Sequence, residues 1–385
     1  MEAMLKKLLA VSAVALLTFA SVVAAVDLKE GHPDTYVVKK GDTLWDIAGR
    51  FLGSPWLWPE IWQANPQVEN PHLIYPGDVL SLVYLGDGRP ALDLRRGPQV
   101  RRESEAIPTI PLSEVEPFLR DVTIVDEDAI KSAPYVLGVE EGHLLGARDQ
   151  VVYVRGGEFE PGDMVAFFRP THRYATYSNR KGKHRVYRDE WTAADGLKPD
   201  NLFTPWAEVL AIDDNYDVLG WEALKSGYGR VTNIQGDIAT VLLADDGREV
   251  RKGDLLLPYQ SFPYDLTFFP RAPGHVPEHA RLIAVTDRMQ YGGTYDVVAI
   301  SAGASDGVAN GQVYSFWNPG QVVVDDIRHK SKLSANLPRN RVQLPDEFAG
   351  HVMIFRTFDK ISYGLIMNGI RPAKIGDVLK APDRI

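Results

Sequence analysis

The sequence predicts a multidomain protein in which a small α+β module is followed by two related, mostly-β units. The chain has 385 residues, which is enough for two or three domains at roughly 150 residues each. Residues 34–86 carry the periodicities of a strand, two short helices and a second strand. Beyond residue 118, short β-branched and aromatic runs alternate with glycine-led turns, and this pattern occurs twice.

Composition narrows the functional classes. Hydrophobic residues make up 45% of the chain and charged residues 24%, an ordinary globular mixture. The net charge is -9 and no long basic run is present, which argues against nucleic acid because phosphate neutralisation needs clustered Lys and Arg. The absence of cysteine excludes disulfides, cysteine-ligated zinc and thiol catalysis. We expect no cofactor and no metal.

Residues 1–25 have the pattern of a signal peptide. Lys6 and Lys7 precede an apolar run that starts at Leu8, and the small residues at 23–25 form a cleavage site. The run nearly reaches the ~20 residues that span a bilayer, so an uncleaved anchor is the alternative. We expect cleavage and export, leaving a mature protein with no stable membrane span.

The module over residues 34–86 begins with a strand at residues 36–38, which the Gly41-Asp42 turn ends. Thr43, followed three residues later by Asp46, forms a capping box that starts a helix. One face of that helix is apolar at helical spacing: Leu44, Ile47, Ala48 and Phe51. These signals predict a short amphipathic helix directly after the turn.

A second short helix carries Pro59 in its first turn and ends at Asn65-Pro66. A turn over residues 74–78 then leads into a strand over residues 79–83. If the two strands pair side by side, the loop at residues 41–44 lies next to the loop at residues 65–75.

The remainder divides into segments. Residues 87–117 are rich in proline and charge and predict a linker. The first β unit spans 118–260, a proline-rich linker spans 261–280, and the second β unit spans 281–385. The predicted strands are residues 151–154, 164–168, 239–243, 295–300, 313–317 and 352–355. Four related glycine turns start at Gly162, Gly253, Gly311 and Gly376.

The first β unit also contains an insertion at residues 171–206. It is basic and aromatic, with six Arg or Lys side chains between residues 173 and 188. It could bind an anionic partner, or it could be a solvated hairpin or loop.

Several motifs of the N-terminal module occur in order at the spacing of a known family. Residues 36–48, Asn65-Pro66, Asn70-Pro71 and residues 74–80 together resemble a LysM domain. The resemblance implies binding of N-acetylglucosamine-containing polymers, above all peptidoglycan, in a shallow groove between the two loops. The implied glycan-binding residues are Gly41, Asp42, Thr43, Leu44, Asn65, Pro66, Ile74, Tyr75 and Pro76.

The chemistry of such a ligand fits these residues. Backbone groups in turns can pair with N-acetyl amides, while Leu44, Ile74 and Pro76 offer apolar contact. Thr43 and Asp42 are also explained by capping and turn chemistry alone. Four tryptophans could stack on sugars or pack in the module: Trp45, Trp56, Trp58 and Trp62.

Two further stretches, residues 295–308 and 342–367, resemble the C-terminal part of the type IV pilus secretin-associated proteins. That family has a signal peptide, one LysM domain and a β-rich region similar to a flagellar T-ring protein's C-terminal domain. The resemblance implies a periplasmic protein that ties an outer-membrane secretin ring to the cell wall. The insertion at 171–206 has no place in the family pattern.

Two enzyme motifs fail on their context. His275 and His279 have the spacing of a zinc-peptidase motif, but Pro277 between them opposes the helix that this motif needs. Residues 303–307 match a nucleophile-elbow pattern, but a strand follows where a helix is required. We therefore expect a non-catalytic adaptor whose linker lets the LysM domain reach the wall. The alternatives are a wall hydrolase or its targeting subunit, and a general wall-binding protein unrelated to pili.

Overall fold

The computed structural model describes residues 27–62, 74–86, 88–96, 109–140, 143–178, 184–190, 217–244, 248–258, 268–285, 291–324, 327 and 341–382. The predicted signal peptide lies outside these ranges. Among the described residues, no helix is both long enough and apolar enough to cross a bilayer.

The N-terminal module has the predicted order of strand, helix, helix and strand. Its elements are β1 (Thr35–Val37), α1 (Leu44–Phe51), a 3-10 turn (Pro55–Leu57), α2 (Trp58–Ile61) and β2 (Val79–Tyr84). β1 pairs antiparallel with β2. The helices pack their apolar faces on this sheet, and Ile47, Phe51 and Ile61 are fully buried between the layers.

The predicted linker at residues 87–117 needs correction at both of its ends. Strand β3 (Pro90–Arg95) pairs with β2 along its whole length, and its side chains Leu92 and Leu94 alternate into the module core. The proline that suggested a linker is tolerated because it is the first residue of an edge strand. Helix α3 (Leu112–Arg120) follows at the other end, with Pro117 inside it.

After α3 come β4 (Val122–Val125) and α4 (Glu127–Ser132), and then a closed six-stranded barrel, which we call the first barrel. Its strands are β5 (Tyr135–Val139), β7 (Val151–Arg155), β8 (Met164–Ser178), β10 (Asp217–Gln235), β11 (Ile238–Leu243) and β13 (Leu255–Pro258). They pair in the ring order β5-β7-β11-β10-β8-β13, and β13 closes on β5. Valine and leucine side chains fill the interior.

A second closed barrel follows, which we call the second barrel. Its strands are β14 (Leu282–Val285), β16 (Val297–Ile300), β17 (Val313–Asn318), β20 (Glu347–Thr357), β21 (Ser362–Gly369) and β23 (Val378–Lys380). The ring order is β14-β16-β21-β20-β17-β23, and a bridge between Arg281 and Val378 closes it. If the six strands of each barrel are numbered along the chain, both barrels have the ring order 1-2-5-4-3-6.

The accessory ladders also correspond. In the first barrel, β6 (Leu145–Gly146) pairs with β12 (Val250–Arg251). In the second barrel, β15 (Tyr291–Gly292) pairs with β22 (Ala373–Lys374). A separate hairpin, β18 (Val322–Val324) with β19 (Arg341–Gln343), branches from the second barrel.

Part of the insertion at residues 171–206 is a hairpin. Strand β8 continues to Ser178 and pairs with β9 (His184–Glu190), while β10 runs alongside as a third strand. This three-stranded arm extends from the first barrel, and β9 contacts β14 of the second barrel. Residues 191–206 lie outside the described ranges.

Much of the outer surface of the second barrel is apolar, and other parts of the chain cover these apolar side chains. One buried cluster joins side chains of the N-terminal module, α3 and the arm to outward-facing side chains of the barrel. Arg356 on β20 donates hydrogen bonds to the carbonyls of Phe118, Leu119 and Val122, and so holds the end of α3 on the barrel. The expected reach of a loosely linked module is therefore wrong, because the module is packed on the second barrel.

Candidate functional site

Strand pairing positions the two predicted binding loops. Tyr36 of β1 lies opposite Leu80 of β2, and beyond the strands the Val38 N–H donates to the Asp78 carbonyl at 2.9 Å. The Gly77 N–H donates back to the Val38 carbonyl at 2.8 Å. The turn that contains Gly41 therefore lies beside the turn that contains Gly77, as the sequence predicts.

Both turns depend on glycine. Gly41 and Gly77 each have a φ of 93°, a region that side chains of L-residues avoid. These two residues are also exposed. The edges of the candidate groove thus carry no side chain at these two positions, so a ligand can approach the main chain closely.

The cap of α1 is built as the sequence predicts. The Thr43 hydroxyl accepts from the Asp46 N–H at 3.1 Å and donates to the Asp46 carboxylate at 2.8 Å. Thr43 is 5% exposed. Its hydroxyl is therefore engaged in the cap, and capping chemistry accounts for it without a ligand.

Asp42 is also engaged within its own loop. Its carboxylate accepts from the Tyr36 hydroxyl at 2.9 Å and from the Lys39 N–H at 2.8 Å. Burial, followed by this hydrogen bond, raises the pKa of Tyr36. Because Asp42 stays half-buried, its first contribution is to fix the loop shape next to Gly41.

Three predicted contact residues have buried side chains. Leu44 and Ile74 lie in the module core, and Tyr75 is buried as well. The expected apolar contact of Leu44 and Ile74 with a glycan is therefore corrected: the two residues are 4% and 0% exposed and fill the core. Pro76 is half-buried and stays at the surface. Asn65 and Pro66 lie outside the described residues.

The four tryptophans of the module are all buried. Trp58 and Trp62 pack edge to face, 6.4 Å apart, in the module core. Trp45 and Trp56 belong instead to the cluster shared with the second barrel, where the Trp56 ring lies 4.4 Å from His351. The four tryptophans therefore pack in the protein interior, as the second interpretation predicted. Two of them, Trp45 and Trp56, join the N-terminal module to the second barrel.

A polar contact fixes the same junction. The Tyr295 hydroxyl, just before β16, donates to the Asp46 carboxylate at 2.7 Å. Desolvation, followed by this hydrogen bond, raises the pKa of Tyr295. Tyr295 has a φ of 72°, which is unusual and unfavourable for a bulky residue. The main chain of Trp45 is held too, since its N–H donates to the Thr109 carbonyl at 3.3 Å.

The contact between the module and the second barrel could not be predicted from the sequence. Asp46 and Tyr295 are 249 positions apart, and no local pattern connects them. The available signal was the number of large aromatic side chains in a module of this size, which exceeds what its own core needs.

The enzyme motifs lie in turns. Residues 275–279 contain no helix, and the His279 imidazole lies 3.4 Å from Asp306. Residues 304–306 form a 3-10 turn that Gly307 ends with a φ of 80°. Within the described ranges, no group of three or more potential ligands could hold a metal ion.

Comparison with known proteins identifies the module. The family profile described as "LysM domain" matches residues 36–83, which are the residues that build the two loops. The chain is also 43% identical over 60 residues to "Uncharacterized protein YqbP" of Bacillus subtilis (strain 168). That alignment covers 13% of this chain and 27% of YqbP.

The chain thus contains a LysM domain near its N-terminus, followed by a mostly-β region with several sheets. LysM domains bind peptidoglycan, and the match indicates that function for this module. Among the site residues that the structure describes, Gly41 and Gly77 are exposed and Asp42 and Pro76 are half-buried.

Proposed function

We propose that this protein is a non-catalytic, periplasmic adaptor that binds the glycan strands of peptidoglycan and connects them to an outer-membrane secretin ring of a type IV pilus machine. The observation that carries the first half is the LysM match over residues 36–83, together with two exposed glycine turns held side by side. The resemblance of residues 295–308 and 342–367 to secretin-associated proteins supports the second half.

The groove works through main-chain groups. N-acetyl amides carry one donor and one acceptor, and the exposed N–H and C=O groups of turns are matched to them. Pro76 adds an apolar surface for the acetyl methyl group. Such a shallow site binds weakly on its own. Several copies gathered by a ring would raise the overall affinity by roughly 10²–10⁴ through effective concentration.

We further infer that the two barrels are related units that arose by duplication. Their strands pair in one order, and their first strands carry a bulge at the same place, between Val136 and Gly138 and between Leu282 and Ala284. In this proposal the barrels face the secretin ring.

The packing of the module on the second barrel bears on how load would pass through the protein. Trp45, Trp56 and the Asp46–Tyr295 hydrogen bond join the LysM domain directly to a β-barrel. A pull from the wall therefore reaches the barrels through a packed interface. An adaptor that resists pilus extension and retraction needs such a connection.

The proposal is tested by sedimentation with purified sacculi. Pro76→Trp places a bulky side chain in the turn next to Gly77, whereas Pro33→Trp changes another half-buried proline at the opposite end of β1. We expect the full chain and Pro33→Trp to pellet with sacculi, and Pro76→Trp to pellet at least fivefold less. Equal pelleting of both variants would show that the groove is elsewhere.

The same incubation separates the adaptor from a hydrolase. We expect no soluble muropeptides after incubation with catalytic amounts of protein. Release of muropeptides in proportion to time and protein would replace the adaptor by an enzyme.

A further inference from the structure

Tyr295 adopts a backbone conformation that its residue type disfavours. It lies in the turn before β16 with a φ of 72°, where a bulky side chain is an outlier. The surrounding main chain holds it there, because the Tyr295 N–H donates to the Ile366 carbonyl at 2.7 Å and the Ile366 N–H donates to the Asp296 carbonyl at 3.0 Å. Strained positions of this kind persist only where the fold holds them firmly, and they cluster at functional sites.

The equivalent turn of the first barrel shows that a tyrosine is not needed to make this turn. Asp149 holds that place with a φ of 64°, and its N–H donates to the Leu243 carbonyl at 3.0 Å, as Tyr295 donates to Ile366. Aspartate tolerates this conformation because its short polar side chain can bond locally. The Asp149 side chain is exposed. The tyrosine at position 295 is therefore explained by what its side chain reaches and not by the turn.

The Tyr295 hydroxyl reaches the start of α1 in the LysM domain. It donates to Oδ1 of Asp46 at 2.7 Å, and Oδ2 of the same carboxylate accepts from the Thr43 hydroxyl at 2.8 Å. The Thr43 hydroxyl in turn accepts from the Asp46 N–H at 3.1 Å. One carboxylate is thus shared between the second barrel and the helix cap.

The helix cap continues directly into the Gly41 turn at the edge of the candidate groove. Asp42 lies between Gly41 and Thr43, and its carboxylate accepts from the Tyr36 hydroxyl and from the Lys39 N–H. The Asp42 N–H donates back to the Lys39 carbonyl at 3.2 Å. The turn is therefore tied to β1 on one side and to the Thr43 cap on the other.

The Tyr295 hydroxyl limits the orientations open to the Asp46 side chain. This side chain is half-buried, and a fixed donor on each oxygen holds its carboxylate in one orientation. Without the Tyr295 donor, the carboxylate can turn toward water, which weakens its hydrogen bond with Thr43. A binding loop that is mobile in the free protein must be ordered when the ligand binds, and this ordering lowers the affinity.

We propose that Tyr295 is a positioning residue for the glycan site, and that through it the second barrel keeps the Gly41 turn in its binding shape. The inference rests on the proposed binding of glycan by the LysM domain and is independent of the secretin. Because coupling between two equilibria is reciprocal, a glycan bound at Gly41 also favours the packed arrangement of the LysM domain on the second barrel.

Two tyrosine variants of the full chain test the proposal. Tyr295→Phe removes the hydroxyl and keeps the ring. Tyr314→Phe is the matched control, because its hydroxyl donates to Gln312 at 2.8 Å and its ring packs inside the second barrel. Isothermal titration with penta-N-acetylchitopentaose measures the Kd. We expect Tyr295→Phe to weaken the Kd roughly threefold to tenfold and Tyr314→Phe to leave it unchanged.

Backbone amide spectra of the same variants separate positioning from a general loss of stability. We expect the Gly41 and Thr43 amides of the free protein to shift or broaden in Tyr295→Phe but not in Tyr314→Phe. Saturating oligomer should return them to their positions in the bound natural chain.

The outcomes distinguish this inference from the proposed function. An equal Kd in the natural chain and Tyr295→Phe, equal losses in both variants, or unchanged Gly41 and Thr43 amides would overturn the positioning role and leave glycan binding intact. No binding by the natural chain would contradict the proposed function itself, and the inference with it.

Discussion

The two barrels share one topology but differ in how their outer faces are treated. Both close six strands in the same order around an aliphatic interior. The second barrel is covered by the LysM domain, α3 and the arm, whereas β5, β7 and β11 of the first barrel leave apolar side chains exposed. The shared topology accounts for the aliphatic interior of both barrels. The exposure of the outward-facing apolar side chains depends instead on which other segments pack against each barrel.

The difference extends to one buried polar position. In the first barrel, Arg169 makes a two-pronged ion pair with Asp254, with both N–O distances at 2.9 Å. At the corresponding place in the second barrel, Asn318 donates to both oxygens of Asp377, at 2.9 and 2.8 Å. Desolvation raises the pKa of Asp377, which has a neutral partner there.

The largest expected effect comes from a charge placed on equivalent outer positions. Ala299→Glu buries a carboxylate among apolar side chains and should lower the free energy of unfolding by at least about 4 kcal/mol. Tyr153 holds the corresponding position on β7 of the first barrel and is 40% exposed. Tyr153→Glu should therefore cost under about 1 kcal/mol in the purified chain, because the new side chain reaches water. Urea unfolding measures both. Similar losses would show that the two faces are not differently covered.

Removing a side chain of the LysM domain that packs on the second barrel should lower the free energy of unfolding by nearly as much. Trp56→Ala deletes a side chain that is 4% exposed and packed on the second barrel, and should cost about 3–5 kcal/mol. Trp56→Phe, the matched control, should retain roughly half of this packing. The readouts are urea unfolding and limited proteolysis between the LysM domain and α3. A loss under about 1 kcal/mol in Trp56→Ala would mean that the module is not packed on the barrel.

The strained position before β16 gives a smaller effect. Tyr295 and Asp149 hold the same place in their barrels with φ of 72° and 64°, but only Tyr295 reaches the LysM domain. Tyr295→Phe removes the hydrogen bond to Asp46 and should cost roughly 1–2 kcal/mol. Asp149→Asn is the control for the first barrel and should be nearly neutral. Thermal unfolding of both variants checks this, and equal shifts would argue against a domain contact.

The smallest effect is a pH dependence at Asp377. Desolvation raises the pKa of Asp377 in the folded state, so folding strengthens the binding of a proton to this carboxyl. The stability linked to this group is fully present below its unfolded value and is lost as the pH rises through the folded value. The free energy of unfolding of the natural chain minus that of Asp377→Asn should therefore fall as the pH rises above the unfolded pKa, by up to ~1.4 kcal/mol per unit of pKa difference. A difference that rises with pH would contradict the assignment.

Local chemistry was readable from the sequence. The capping pair Thr43 and Asp46, the apolar face of α1, and the glycine turns all follow from spacing over a few residues, and each is found as predicted. The starts of strands after glycine turns follow for the same reason, since a positive φ leaves few alternatives.

Contacts between distant segments were not readable. Leu92 and Leu94 were assigned to a linker because proline and charge surround them, although they complete the module's sheet. Leu44 and Ile74 were expected at the groove because family resemblance locates loops and does not tell which side chains point inward. The LysM domain contacts the second barrel through residues such as Tyr295. The sequence does not show which surfaces of the two domains will pack together.

The most direct test of the central claim is a titration of the isotopically labelled full chain with N-acetylglucosamine oligomers, followed by backbone amide chemical shifts. We expect saturable shifts at Gly41 and Gly77, smaller ones around Pro76, and none in either barrel. Shifts confined to a barrel, or no shift at the two glycine turns at millimolar oligomer, would contradict binding in the groove between them.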